Sequence, residues 1–302
     1  MTWNICTGHA LEVLATIEPE TVQTCVTSPP YWGLRSYDDP GQEWPEVAYA
    51  PMPGLSPLTI PAQTAALGLE PDPCAYVGHL VEVFRAVRRV LRDDGTLWLN
   101  IGDSFQDKDL AGIPWRVAYA MQADGWCLRS DIIWAKPNPM PESVTDRPTK
   151  AHEYLFLMSK GPRYFYDADA IREADGGVAS GNGFAGRQGG ERDTAIPGGV
   201  GSPERFQPGA GRNARSVWTI TTRPYPSAHF ATFPPDLPER CIKAASRPGD
   251  LVLDPFSGAG TTGVVARRMQ RSYIGVEQSE KYAEMSRRRI DADAPLFNRG
   301  DG

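Results

Sequence analysis

Cysteine is scarce in this chain, positive charge is not in excess, and no apolar run is long. The five cysteines, Cys6, Cys25, Cys74, Cys127 and Cys241, are odd in number, scattered, and form no C-x-x-C pair. That pattern predicts reduced thiols in a cytoplasmic protein and argues against a disulfide framework or a zinc site, so no metal is expected. No segment offers the ~18 consecutive apolar residues of a membrane span. Residues 1–9 carry neither a basic n-region nor a long apolar stretch, so no secretory signal is expected. The net charge of −6 excludes a surface coated in positive charge. It leaves room for a local patch, because residues 205–223 hold arginines at 205, 212, 215 and 223 and no acidic residue.

What is present is an apolar fraction of 41% over 302 residues, enough for one large α/β domain or one domain with a substantial insertion. Short strands are expected at Thr2–Thr7 and Val22–Thr27, with a helical segment at Ala10–Thr16 between them. Residues 38–75 hold eight prolines, which forbids regular structure through most of the stretch and predicts a long surface excursion with Trp44 and Tyr49 as anchors. Apolar residues from Val77 to Leu91 recur at helical spacing, and Asp93-Asp94-Gly95 is the expected stop. Strands follow at Thr96–Ile101, Trp126–Ala135 and His152–Ser159, with a helix at Ile113–Gln122 that has Pro114 in its first turn. The alternation predicts a doubly wound, mostly parallel sheet with an antiparallel pair at its end.

Residues 161–216 interrupt this rhythm. Gly176–Gly211 is loaded with glycine, buries little apolar surface, and reads as an insertion or small subdomain. A helix at Leu237–Ala245 and a strand at Leu251–Leu253 restore the pattern, followed by a helical stretch at Val264–Met269, a strand at Tyr273–Val276 ending at Glu277, and a closing helix at Ser279–Ile290. There is no internal repeat.

The run Leu251-Val-Leu-Asp-Pro-Phe-Ser-Gly-Ala-Gly-Thr-Thr-Gly263 is a buried strand, a glycine turn and a helix start, the unit that cradles a nucleotide. Gly258, Gly260 and Gly263 even satisfy G-x-G-x-x-G, which by itself admits a nicotinamide-dependent oxidoreductase. Glu277, at the end of the next strand, is placed to accept from ribose hydroxyls of either NAD or S-adenosylmethionine. Asp254 separates the two, since a carboxylate at the pocket floor suits a methionine ammonium and repels a pyrophosphate.

The second landmark is Thr27-Ser28-Pro29-Pro30-Tyr31-Trp32. Together with Asp254-Pro-Phe-x-Gly-x-Gly-Thr261 it resembles the DNA amino-methyltransferases of the permuted β group, S-P-P-Y type, the N4-cytosine-specific family. The likeness extends through Gly112-Ile-Pro-Trp-Arg116, Asp131-Ile-Ile-Trp-Ala-Lys136, Asp146-Arg-Pro148, His152-Glu153 and His229-Phe230-Ala-x-Phe-Pro234. It implies a Rossmann-like, circularly permuted methyltransferase fold with a seven-stranded, mostly parallel sheet and a DNA-recognition insertion. It also implies a methyl transfer from S-adenosylmethionine to cytosine N4 in double-stranded DNA by base flipping, within restriction–modification or protection of host or phage DNA. Adenine N6 stays open as the target, because Ser at the first motif position is associated with cytosine without a physical reason that compels it.

The chemistry accounts for the residue types. An exocyclic amino group is a poor nucleophile until acceptors draw its nitrogen toward sp³, and the Ser28 hydroxyl and Pro29 carbonyl are suited to this. Pro29 and Pro30 fix φ, and Tyr31 can stack on an extruded base. The resemblance assigns the cofactor to Asp254, Pro255, Phe256, Gly258, Gly260, Thr261 and Glu277, with His229, Phe230 and His9 beside it. His9 stands where the family commonly has Asp, and the alternative for Phe256 is a core plug under the turn. DNA contacts are expected from Lys136, Asn138, Ser143, Arg147, Arg187, Arg205, Arg212 and Arg215, the alternative for the first four being a solvated loop. The expected organisation is a catalytic half at 1–160, a recognition insertion at 161–216, a cofactor half at 217–294 and a tail at 295–302. A separately acting restriction endonuclease and either a monomer or a dimer are compatible with this reading, in the cytoplasm of a bacterial or phage-infected cell. Adjacency of the strands ending at Thr27 and Asp254 is its critical structural consequence.

Overall fold

The computed structural model describes residues 2–33, 41–174, 211–222 and 233–293. Its sheet is built from β1 (Trp3–Thr7), β2 (Val22–Thr27), β3 (Leu91–Ile101), β4 (Cys127–Ala135), β5 (His152–Ser159), β6 (Val217–Thr219), β7 (Leu251–Asp254) and β8 (Ser272–Glu277). The spatial order is β1-β8-β7-β2-β3-β5-β4-β6. All neighbours are parallel except β5, which runs antiparallel to both β3 and β4. The sheet therefore has eight strands where seven are expected. The extra one is β6, a three-residue edge strand whose Trp218 pairs with Trp134 of β4 and packs under the sheet.

Among the described residues six α-helices cover the sheet: α1 (Ala10–Thr16), α2 (Pro73–Val90), α3 (Ile113–Ala123), α4 (Asp236–Ala245), α5 (Thr261–Arg268) and α6 (Glu280–Ala292). The first three pack side by side, as do the last three, and each trio seals its own apolar cluster. Buried positions in α2 follow its 3.6-residue period, from Tyr76, Val77, Leu80 and Val81 to Phe84, Val87 and Val90. Asp72 caps that helix, accepting from the Cys74 N–H at 2.7 Å. The helix ends at Val90, before the expected stop, and β3 begins at once. Asp93-Asp94-Gly95 instead bulges out of β3, because the register passes from Val22↔Leu91 to Thr24↔Thr96.

The proline-rich excursion also departs from expectation. Gln42–Trp44 pairs with Gln63–Ala65, and Val47–Tyr49 pairs with Leu58–Ile60, both antiparallel. The two pairs form one interrupted hairpin, broken where Pro45 and Pro61 deny the ladder an N–H donor. Trp44 and Tyr49 are buried anchors, as their aromatic character predicts. The insertion is closed at its base by Glu173 and Arg212, whose backbones exchange two hydrogen bonds of 2.9 Å. Residues just before it belong to the main body: Ile171 is buried, and Phe165 N–H donates to the Asp94 carbonyl.

Candidate active site

β2 and β7 are neighbours, with Thr24 opposite Val252 and Cys25 opposite Leu253. From β2 the chain crosses through α2 to β3 on one side; from β7 it crosses through α5 to β8 on the other. Their carboxyl ends thus flank the topological switch point, where ligands bind in open α/β sheets. The adjacency required by the sequence reading is present, and one side chain joins the halves. The Thr27 hydroxyl donates to Asp254 Oδ1 at 2.6 Å across a 227-residue separation.

Asp254 is almost wholly buried, and its carboxylate also accepts from the Thr262 hydroxyl at 2.8 Å and the Phe256 N–H at 3.1 Å. Burial pushes its pKa up to about 6 against the pull of those three donors. The carboxylate that the sequence aims at a ligand ammonium is thus also the bolt between the two strand ends. Glu277 sits at the end of β8 and accepts from the Gly258 N–H and the Ser279 N–H, each at 2.9 Å. Burial also raises its pKa, with the Asp254 charge acting in the same direction. Two carboxylates, each taking N–H groups of the turn, favour a cationic ligand over an anionic one, which fits the sulfonium and ammonium of S-adenosylmethionine.

The glycines of the turn divide their work. Gly258 turns the chain at φ +50°, and a Cβ there would meet only the Phe256 carbonyl oxygen at an ordinary contact of 3.9 Å. Gly260 has φ +74°, and a Cβ there would lie 2.2 Å from Ser286 Oγ on α6, while one on Gly263 would lie 2.6 Å from Tyr273 and Ile290. Two of the three therefore serve close helix packing more than ligand approach. Phe256 is half-buried and packed against the core. Thr261 is buried and accepts from Arg289 at 3.0 Å. His9 follows the end of β1, which pairs Thr7 with Glu277, and sets its ring edge-on to Trp44 at 5.0 Å. His229 and Phe230 lie outside the described residues.

The Ser-Pro-Pro-Tyr motif leaves β2 as an irregular segment held on every side. The Pro30 carbonyl accepts from the Tyr76 hydroxyl at 2.8 Å, and Trp32 Nε1 donates to the Glu70 carbonyl at 2.8 Å. Gly68 of the excursion presses on the motif so closely that a Cβ would lie 2.9 Å from the Tyr31 carbonyl. Glu70 accepts in turn from the Gly68 N–H and contacts buried His79, whose ring stacks on Trp44 at 4.2 Å. The proline-rich excursion is therefore the motif's buttress. The Ser28 hydroxyl donates to Tyr31 Oη at 3.2 Å, and Tyr31 donates to Glu153 Oε2 at 2.7 Å. Neither Glu153 nor its neighbour Asn100 stands out as a site residue in the sequence; the His152-Glu153 dipeptide is the only signal, and there the histidine draws the eye.

Several residues expected to face DNA have partners within the chain. Lys136 turns inward, pairs with Glu153 and lies over the Trp134 ring at 4.4 Å. Arg147 pairs with Glu142 at 2.5 Å and covers the Phe105 ring, and Arg212 and Arg215 share Glu173. Asn138 ties its loop to Thr222, while Ser143 is exposed. Nearby carboxylates explain these pairings, with Lys136 and Arg147 partly buried and Arg212 and Arg215 still largely exposed. Arg187 and Arg205 lie outside the described residues.

The family model described as DNA methylase matches residues 22–288, spanning both motifs. The chain belongs to the DNA methylase family. It is 40% identical over 315 residues to the type II methyltransferase M.SmaI of Serratia marcescens, covering 95% of this chain and 90% of that protein. It is 38% identical to M.Cfr9I of Citrobacter freundii, covering 95% and 87%. Among solved structures it resembles the PvuII DNA methyltransferase (cytosine-N4-specific), with a TM-score of 0.68 and 20% identity over 100% of this chain and 89% of that one. It also resembles a putative DNA modification methylase from Thermus thermophilus complexed with S-adenosyl-L-methionine, with a TM-score of 0.62 and 23% identity over 98% and 96%. The likenesses to solved structures bear on the fold, and family membership removes the oxidoreductase alternative. Among the described residues no helix is long and apolar enough to cross a membrane, and no cluster of His, Cys, Asp and Glu could hold a metal ion.

Proposed function

We propose that this protein methylates the N4 amino group of a cytosine within a specific site in double-stranded DNA, using S-adenosylmethionine. The observation that carries the reading is the Thr27–Asp254 bond of 2.6 Å, which couples Ser-Pro-Pro-Tyr to the glycine turn at the sheet's switch point. When bound, S-adenosylmethionine supplies an electrophilic methyl group on sulfur. Asp254, Phe256, Gly258, Glu277 and His9 form the donor's side of the cleft, with Glu277 facing the ribose and the paired carboxylates providing a negative field. Ser28 and the Pro29 carbonyl accept from the target amino group, and Tyr31 lies against the extruded base. Catalysis is positioning of a rigid acceptor pair against an in-line methyl group, with no covalent enzyme intermediate.

The preference for cytosine rests on Ser28 and on the cytosine-N4-specific enzyme among the structural relatives. The type II names of the relatives favour a role in restriction–modification, in the bacterial cytoplasm and beside a separately acting endonuclease. DNA recognition belongs to the segment between Glu173 and Arg212 and to the exposed loop 137–149. Digestion of DNA from an expressing host to nucleosides, followed by mass analysis, is expected to yield N4-methylcytosine. Recovery of N6-methyladenine instead would move the same active site to the other base, and recovery of neither would overturn the reading.

A further inference from the structure

A serine hydroxyl can donate or accept, yet this site needs it to accept from an amino group. The hydrogen bonds around Ser28 resolve that ambiguity. Its single hydrogen is given to Tyr31 Oη at 3.2 Å, leaving the Ser28 lone pairs as the groups available to a substrate. Tyr31 gives its own hydrogen to Glu153 Oε2 at 2.7 Å. Asn100 Nδ2 donates to both Glu153 Oε2 and the Tyr154 carbonyl at 3.1 Å, which leaves Asn100 Oδ1 facing Tyr31 at 3.1 Å. Lys136 holds the other Glu153 oxygen. The polarity of the chain Ser28→Tyr31→Glu153 is thus set by a carboxylate that can only accept. The phenol is immobile as well, since a Cβ on Gly102 would lie 2.6 Å from its ring. Burial and the Glu153 charge hold Tyr31 well above the usual phenol range, so it keeps its proton and serves as a conduit.

We propose that Glu153 is the terminal proton acceptor of methyl transfer, reached from the target amino nitrogen through the Ser28 and Tyr31 hydroxyls. This rests on the methyltransferase reading above and adds the fate of the proton. The amino lone pair forms the N–C bond while the donor's S–C bond breaks and its electrons stay on sulfur. The nitrogen's surplus proton passes to Ser28 Oγ as the Ser28 hydrogen moves to Tyr31 and the Tyr31 hydrogen to Glu153. A cationic donor and a carboxylate become a neutral thioether and a carboxylic acid, which releases its proton to water as product leaves. Glu153 reaches the substrate only through Ser28 and Tyr31, so its role is one of charge and proton position. Lys136 from β4, Asn100 from β3 and Tyr31 face it, and Lys150 lies behind it near Asp103 and Glu142 with its ammonium buried.

The test is Glu153→Gln, which keeps shape and an acceptor for Lys136. Single-turnover methylation of duplex DNA is expected to fall about 10²-fold or more, with S-adenosylmethionine and DNA affinities within about threefold. Tyr31→Phe should show a similar loss, and the double variant should be no slower than the slower single one. In the protein alone, the ¹³Cζ resonance of labelled Tyr31 should move on Glu153→Gln and stay put on Glu284→Gln. A wild-type rate in Glu153→Gln, or multiplicative losses in the double variant, would overturn the relay while leaving the methyltransferase reading intact. A wild-type chain that methylates no DNA overturns both.

Discussion

The two halves of the active site are rigid for opposite reasons. On the donor side, order comes from backbone: glycines pack against α6 and β8, and carboxylates take N–H groups of the turn. On the acceptor side, order comes from side chains: Tyr76 holds the Pro30 carbonyl, Trp32 holds the Glu70 carbonyl, and Ser28, Tyr31, Asn100 and Glu153 hold one another. A backbone-built site presents fixed dipoles to a constant ligand. A side-chain-built site can relay a proton, because its hydroxyls exchange hydrogens without moving heavy atoms. Under the proposed function, that difference gives binding to one half and chemistry to the other.

The comparison is broken most severely at Ser28. Ser28→Ala removes the acceptor proposed for the reacting nitrogen, and single-turnover methylation should fall about 10²- to 10³-fold, with melting temperature nearly unchanged. Gly260→Ala tests the donor half in the opposite currency. With φ +74° and Ser286 Oγ 2.2 Å from the new Cβ, it should lower unfolding stability by about 2–4 kcal/mol in urea titrations, and donor affinity with it.

Asp254→Asn should separate stability from binding. The folded carboxylate has its pKa raised to about 6, above the unfolded value, so its ionisation opposes folding at neutral pH. Stability contributed by the protonated form is complete below about pH 4 and is lost as pH rises through about 6. The Asn variant should therefore be more stable than wild type at pH 7, by up to about 3 kcal/mol, with the gap closing toward pH 4. Melting temperatures measured across that window check it. The same protonation removes negative charge from the donor side, so wild-type affinity for the cationic donor should weaken as pH drops below 6. The smallest effect is expected at Gly258, where φ is +50° but a Cβ would make only an ordinary contact, and Gly258→Ala should cost about 1 kcal/mol. A larger loss there than at Gly260 would contradict the division of the turn into a packing part and a turning part.

Much of this was legible in the residues. Strand and helix identities follow hydrophobic period and glycine turns, and Val22–Thr27 and Ala10–Thr16 fall where the pattern puts them. The pairing of two motifs 227 residues apart was inferable because each ends a buried strand and each is incomplete alone. The excursion's hairpin was hidden because its strands are three residues long and separated by proline, too short for a period to register. The eighth strand has the same defect and depends on Trp134, more than 80 residues away. Glu153 was hidden for another reason: a lone glutamate at a strand start has no local signature, and its meaning comes from Tyr31, Asn100 and Lys136 on three other segments. The inward turn of Lys136 is likewise set by that carboxylate, and no window around residue 136 contains it.

The division of labour is tested most directly by the affinity of Ser28→Ala for S-adenosylmethionine, titrated calorimetrically beside wild type. The account predicts dissociation constants equal within about threefold although methylation has collapsed. Loss of donor binding in that variant would contradict it, because Ser28 would then belong to the half of the site that holds the donor.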